Sequence, residues 1–148
     1  MRVTDDERIG LVRRFFAACG SDDPKAYVEA YRSFLSADCV YQNPGLPGLQ
    51  GVDAIFDFFS RYCDYKFVKF VVELKDLAVS GNRVFSERID YHYDAEGHMG
   101  HAPEICGVMT VEDGKIKHWR DYFDPRELLE HVDLESYRKD NGSVAPAK

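Results

Sequence analysis

The spacing of apolar residues changes once along this chain, near residue 66. Before that point apolar side chains recur every three or four positions, which is the period of a helix with one buried face. After it they alternate, which is the period of a strand, over segments 67–79, 83–93, 102–111 and 115–123. Helices followed by a meander of strands predict an α+β domain, in which helices cover one side of a curved antiparallel sheet and leave a cone with a pocket.

Capping signals place the starts of the helices. Thr4 followed by Glu7 is a capping box for the first helix, and Asp23 followed by Pro24 starts the second. Apolar stripes extend the first and third helices: Ile9, Val12, Phe16 and Cys19 in one, and Val52, Ile55, Phe56 and Phe59 in the other. We therefore predict three helices in the first part of the chain.

Turn residues separate the predicted strands. A short strand at 39–41 is followed by a loop rich in Pro and Gly at 43–51, and this loop and the 96–101 segment are expected to border the pocket mouth. The breaks between the later strands are Gly81-Asn82, Ala95-Glu96-Gly97 and Asp113-Gly114. Breaks this short are typical of hairpins, so the sheet is predicted to be antiparallel.

The whole chain, 1–148, is predicted to be one domain, because 148 residues suit a single core. Asp124 and Pro125 cap a short last helix that ends near His131, and the polar tail from Ser136 is expected to be flexible. The formal charge of -7 has no basic stripe, which argues against nucleic acid as a partner. No apolar run approaches the roughly 20 residues that cross a bilayer, so we expect a cytoplasmic protein without membrane contact.

Charged residues on a strand that must bury one face are the first candidates for chemistry. Arg88, Asp90 and His92 share one face of the 83–93 strand. The opposite face is also mixed, so a solvent-exposed Arg88 and Asp90 pair is an open alternative. If the face is buried, His92 would line the pocket or tune Asp90.

The last strand favours the buried reading. Trp119, Asp121 and Phe123 share a face, which places a carboxylate between two large aromatic rings. An ionised carboxylate is costly there unless it is paired, and Arg88 is the candidate partner. One guanidinium that bridges Asp90 and Asp121 would titrate with them as a unit, so that one acid is protonated while the other stays ionised. Acid and base catalysis at neutral pH requires such a pair.

Tyr41 and Asn43 point the same way at the end of the short strand, and both side chains could hold a water molecule. Their other interpretation is a strand tyrosine followed by an ordinary Asn-Pro-Gly turn.

Taken together, three motifs resemble the limonene-1,2-epoxide hydrolase family, within the NTF2-like and SnoaL-like superfamily. They are Tyr41-Gln42-Asn43, Glu87-Arg88-Ile89-Asp90 and Trp119-Arg120-Asp121-Tyr122-Phe123-Asp124. Their order and separation match as well, over nearly the whole chain. The tripeptide is unspecific, whereas the W-R-D-Y-F-D run with R-x-D upstream is much more specific.

The resemblance implies a one-step hydrolysis of a small hydrophobic epoxide to a diol. Asp121 would be the base that takes a proton from a water held by Tyr41 and Asn43, Asp90 the acid that protonates the ring oxygen, and Arg88 the cation that orients both. It also implies a homodimer, a deep apolar pocket, and no metal or organic cofactor.

Other enzymes share this architecture, so the fold alone does not decide the function. Ketosteroid isomerase-like proteins place an acidic base before the Pro-x-Gly turn, where this chain has Asn43, and an amide cannot abstract a proton. A polyketide cyclase-like enzyme that uses Asp121 as base stays open. So does a binding module without catalysis, although that would not explain the buried charges.

The remaining histidines and cysteines suggest no further site. His98, His101 and Glu104 are spaced by three, which on one strand sends neighbours to opposite faces, so we predict surface residues and no metal. The four cysteines lie far apart and are predicted to be buried free thiols, with Cys106 in the core.

Overall fold

The computed structural model describes residues 2–63 and 66–142. Its elements in chain order are α1 (Asp5–Cys19), α2 (Pro24–Phe34), β1 (Leu35–Gln42), β2 (Leu49–Gln50), α3 (Val52–Arg61), β3 (Phe67–Ser80), β4 (Arg83–Asp94), β5 (Met99–His101), β6 (Glu104–Glu112), β7 (Lys115–Tyr122), α4 (Arg126–Leu129) and α5 (Leu134–Asn141). The change of period near residue 66 therefore does separate the main helices from the long strands, and the α+β prediction is confirmed.

The sheet is curved, open and mixed. Its strand order is β2-β1-β7-β6-β4-β3, with β5 paired to β4. All neighbours are antiparallel except β1 and β7, which run parallel. The prediction of a fully antiparallel sheet was wrong for this pair. Hairpin turns predict the relative direction only of strands that are consecutive in the sequence. β1 and β7 are separated by most of the chain, so no turn predicts their direction.

Helices α1 to α3 cover one face of the sheet with an aromatic core. Phe15 and Tyr31 are fully buried, and their rings lie 5.2 Å and 5.5 Å from the ring of Trp119 on β7. The predicted caps form as well: the Thr4 and Glu7 capping box begins α1, and Asp23 caps α2. Local sequence signals therefore determine where the helices that cover this face of the sheet begin.

Three short elements fall where irregular structure was predicted. β2 lies inside the 43–51 loop and β5 inside the 96–101 segment, while α5 begins two residues before the predicted polar tail and extends into it. The first part of that tail is held because Tyr137 packs edge-on against Phe58 and Tyr62, each at 5.1 Å. Residues 143–148, the rest of the predicted flexible tail, lie outside the described residues.

The cysteine prediction is only partly right. Cys19 and Cys39 are buried, Cys63 is half-buried, and Cys106 is exposed. Cys106 was predicted in the core but lies on the outward face of β6, because alternation along this strand buries its neighbour Ile105 instead. Within residues 2–63 and 66–142, no helix combines the length and apolarity needed to cross a membrane.

Candidate active site

Two carboxylates meet one guanidinium at the middle of the sheet. Arg88 Nη1 and Nη2 donate to Asp121 Oδ1 and Oδ2 at 3.0 and 2.8 Å. Arg88 Nε and Nη2 donate to Asp90 Oδ1 and Oδ2 at 3.0 and 3.4 Å. Arg88 and Asp121 are about as buried as the apolar core, with side chains 2% and 3% exposed, while Asp90 is 21% exposed. The structure thus brings together the three charged residues that the strand pattern singled out, and it excludes the alternative of a solvent-exposed pair.

Strand order explains how these side chains meet. Arg88 is on β4 and Asp121 on β7, and β6 lies between these strands. The β6 residue beneath the cluster is Gly107, which pairs with Ser86 on one side and with Asp121 on the other. A Cβ atom on Gly107 would lie 2.7 Å from Asp121 Oδ1 and 2.9 Å from Arg88 Nη1. The missing side chain is therefore what lets the guanidinium and carboxylate join across β6.

Sequence reasoning missed Gly107. A glycine inside a predicted strand is a recognised sign of a close approach, and this signal was available.

The charges of this cluster do not cancel when both acids are ionised. One cation and two carboxylates leave a net negative charge in a region with little solvent. Burial raises the pKa of Asp90, Arg88 opposes that rise, and the negative charge of Asp121 adds to it, with a net upward direction. Arg88 itself stays charged, because the two carboxylates raise its pKa more than burial lowers it. When the cluster takes up one proton, that proton is therefore favoured on Asp90.

Tyr41 and Asn43 form a buried pair beside the cluster. The amide of Asn43 donates a hydrogen bond to the Tyr41 hydroxyl. Parallel pairing of β1 with β7 sets Tyr41 opposite Trp119, with their rings 4.4 Å apart. Asn43 Oδ1 is buried and accepts no hydrogen bond from the described residues. Tyr41 lines the cavity, and Asn43 is joined to it by this hydrogen bond.

A cavity that is open to solvent on one side lies over these groups. Its wall includes Tyr41, Arg88, Asp90 and Asp121, together with the three residues predicted to line the pocket, Trp119, His92 and Phe123. Ile105 and Leu128 add apolar surface.

A second group of polar side chains lines the same cavity, and sequence analysis placed only His92 there. His101 was predicted at the surface but is 4% exposed, and it lines the cavity with His92 and His131. The prediction failed because it treated 98–104 as one strand. Instead His98 lies before β5, and His101 is the last residue of β5 and pairs with His92.

His98 and Glu104 are exposed, as predicted. Among the described residues, no three His, Cys, Asp or Glu side chains are arranged to hold a metal ion.

Comparison with known proteins identifies a family model that matches most of this chain. Residues 6–133 match the limonene-1,2-epoxide hydrolase catalytic domain. An LEH-like epoxide hydrolase from M. tuberculosis is 24% identical, with a TM-score of 0.63 over 93% of this chain and 98% of that chain.

Other solved structures with this fold belong to different groups. A candidate SnoaL-like polyketide cyclase from Jannaschia sp. CCS1 has a TM-score of 0.68 at 12% identity, covering 90% of this chain and 97% of that one. A protein with a ketosteroid isomerase-like fold from Catenulispora acidiphila DSM 44928 has a TM-score of 0.61 at 16% identity, covering 82% and 91%. At such identities these structures show the fold alone.

Proposed function

Because the chain belongs to the limonene-1,2-epoxide hydrolase family, we propose that it hydrolyses a small hydrophobic epoxide to a vicinal diol in one step. The observation that carries this proposal is the single guanidinium that holds two carboxyl groups on the wall of a cavity. Epoxide opening needs an activated water and a proton for the departing oxygen, and two carboxyl groups with different proton affinities supply both.

In the proposed reaction Asp121 is ionised and Asp90 carries a proton. Asp121 takes one proton from a water held with Tyr41 and Asn43, and the water oxygen forms a bond to one epoxide carbon. The bond from that carbon to the ring oxygen breaks, and Asp90 gives its proton to the oxygen. The diol gains the elements of one water, and the proton on Asp121 must then return to Asp90 before the next turnover.

Arg88 has a positioning role in this scheme. Its hydrogen bonds to both acids orient them, and its positive charge offsets negative charge on the carboxyl groups. Asn43 supports this reaction over an isomerase, because an amide replaces the acidic base that isomerases carry before the same turn.

A single turnover in heavy-oxygen water tests the scheme. With enzyme in excess over a terpene, cyclic or lipid epoxide, the first diol should contain one heavy oxygen, and the peptide that holds Asp121 should contain none. A diol without label, together with label in Asp121, would show an ester intermediate and contradict direct attack. Failure to form diol from any epoxide of the panel would favour the cyclase, isomerase or binding alternatives.

The homodimer and the cytoplasmic location implied at the start stay predictions. Light scattering of the purified chain should give twice the mass of 17.0 kDa. A mass of one chain would contradict the dimer.

A further inference from the structure

The histidine wall, which we define as His92 and His101, lies in the cavity but has no part in the proposed reaction. His92 follows Asp90 by two residues on the same face of β4, so the two backbone positions are roughly 7 Å apart. His101 pairs with His92 across β5, and their rings lie 5.1 Å apart. A ligand roughly 7 Å long that reaches Asp90 with one end can therefore contact the histidine wall with the other.

His92 presents a hydrogen-bond acceptor to the cavity. Its Nδ1 lies 3.0 Å from the carbonyl oxygen of Asp90 and 3.3 Å from that of His101. Carbonyl oxygens only accept, so Nδ1 carries the proton. Burial lowers the pKa of His92 to about 4, and the ring is therefore neutral at physiological pH. In a neutral imidazole with its proton on Nδ1, the nitrogen Nε2 is an acceptor.

His101 has the same arrangement for a different reason. Its Nδ1 lies 2.7 Å from Glu127 Oε2, and an ionised carboxylate can only accept. Nδ1 is therefore the donor in this hydrogen bond, which leaves Nε2 available to a ligand. In the neutral form, Nε2 of His101 is a second acceptor. The other titratable groups around these two rings are Asp90, Glu127 and His131.

We propose that the histidine wall binds a hydroxyl group of the substrate, so that the substrate is an epoxide bearing an alcohol some 7 Å from the oxirane. This inference rests on the proposed function. Two acceptors side by side are complementary to a donor, whereas a hydrocarbon would exclude water from them and leave them unpaired. A carboxylate has no proton to donate and would face two lone pairs.

Three epoxides with one skeleton and a remote methyl, hydroxymethyl or carboxylate group test this inference. For the wild-type chain, kcat/KM for the alcohol should exceed that for the methyl compound by roughly 10- to 100-fold. The carboxylate should be the poorest substrate. Equal values for alcohol and methyl compounds, or a preference for the carboxylate, would overturn the inference.

Variants show whether the histidine wall causes the preference. The ratio of kcat/KM for alcohol over methyl should collapse in His92→Phe or in His101→Phe, and it should persist in His98→Phe, whose side chain is 79% exposed. A ratio that survives in both wall variants would mean that another group selects the alcohol.

Binding without turnover separates this inference from the proposed function. Trp119 is the single tryptophan of the chain and lines the cavity, so its fluorescence reports occupancy. A saturated alcohol without an oxirane should bind with a Kd roughly 10- to 100-fold below that of the matching alkane. Equal Kd values would defeat the inference even if epoxides are hydrolysed. Absence of diol with all three epoxides would defeat the proposed function while this measurement still stands.

Discussion

The two polar parts of the cavity differ in what their hydrogen bonds already satisfy. In the charged cluster, Arg88 donates its hydrogen bonds to Asp90 and Asp121, so these three groups position one another without a ligand. In the histidine wall, His92 and His101 each form hydrogen bonds to the protein through one ring nitrogen, Nδ1. The charged cluster is therefore preorganised for chemistry, and the histidine wall is left to recognise a ligand. Our two proposals thus assign reaction type and substrate choice to different residues of one cavity.

The largest effect that this contrast predicts is on catalysis by Asp121. Asp121→Asn keeps the shape of the side chain and removes the base, so kcat should fall by roughly 10²- to 10⁴-fold. Circular dichroism and a melting curve should show a folded protein. The matched control is Asp124→Asn three residues later, because Asp124 is 57% exposed and pairs with Arg126. Equal losses in the two variants would contradict a special role for Asp121.

Arg88→Met tests, through the free energy of unfolding, whether the charged cluster depends on its cation. Removal of the cation leaves two carboxyl groups in the interior without their partner, so the free energy of unfolding at neutral pH should fall by about 3–5 kcal/mol. Urea denaturation measures this loss. The control Arg126→Met removes an 87% exposed guanidinium and should leave the free energy of unfolding nearly unchanged.

The loss in Arg88→Met should shrink as the pH is lowered. Protonation of Asp90 and Asp121 then removes the unpaired charges, and the remaining cost is that of lost packing. A loss that does not change with pH would assign the effect to packing alone.

Gly107→Ala should disturb the cluster with a smaller effect. The new methyl group must displace Asp121 or Arg88, which are held from several sides, and this should cost about 1–3 kcal/mol in unfolding free energy. Activity should also fall, since the carboxylate moves. Gly48→Ala is the control, because Gly48 has no described neighbour within 4 Å of the added carbon. A Gly107→Ala variant with normal stability and activity would show that the cluster adapts.

The sequence predicted the charged cluster because charge on an inward strand face is unusual. Alternation placed Arg88 and Asp90 on one face of a strand without deciding whether that face is buried. The position of Asp121 between two aromatic residues favoured the buried face, because a buried carboxylate needs a partner. A glycine within a strand indicates a close approach at Gly107, but it does not say which groups approach. Which residue lies beneath the cluster depends on the registers of β4, β6 and β7, which alternation within each strand does not fix.

His101 and the β1 and β7 pair show a second limit. The position of His101 depends on where β5 begins and ends, and three residues of strand are too short for alternation to reveal. The parallel strands β1 and β7 are far apart in the sequence, and no turn connects them directly, so local patterns do not predict their pairing. Local patterns thus predicted the helices and long strands, while registers and distant pairings came from the packed fold.

The smallest expected effect is on the pH dependence of kcat/KM, which shows which group in the cavity titrates. Asp90 must be protonated to act as the acid, so kcat/KM should fall about tenfold per pH unit as the pH rises above its pKa. Burial and Asp121 raise that pKa, which extends activity to higher pH. His92 is already neutral across this range, and the proposed reaction assigns no proton transfer to His101. His101→Gln should therefore keep the alkaline limb of the wild-type profile, measured with the methyl-substituted epoxide. A limb that disappears in His101→Gln would place the titrating group on the histidine wall, and the division between chemistry and recognition would fail.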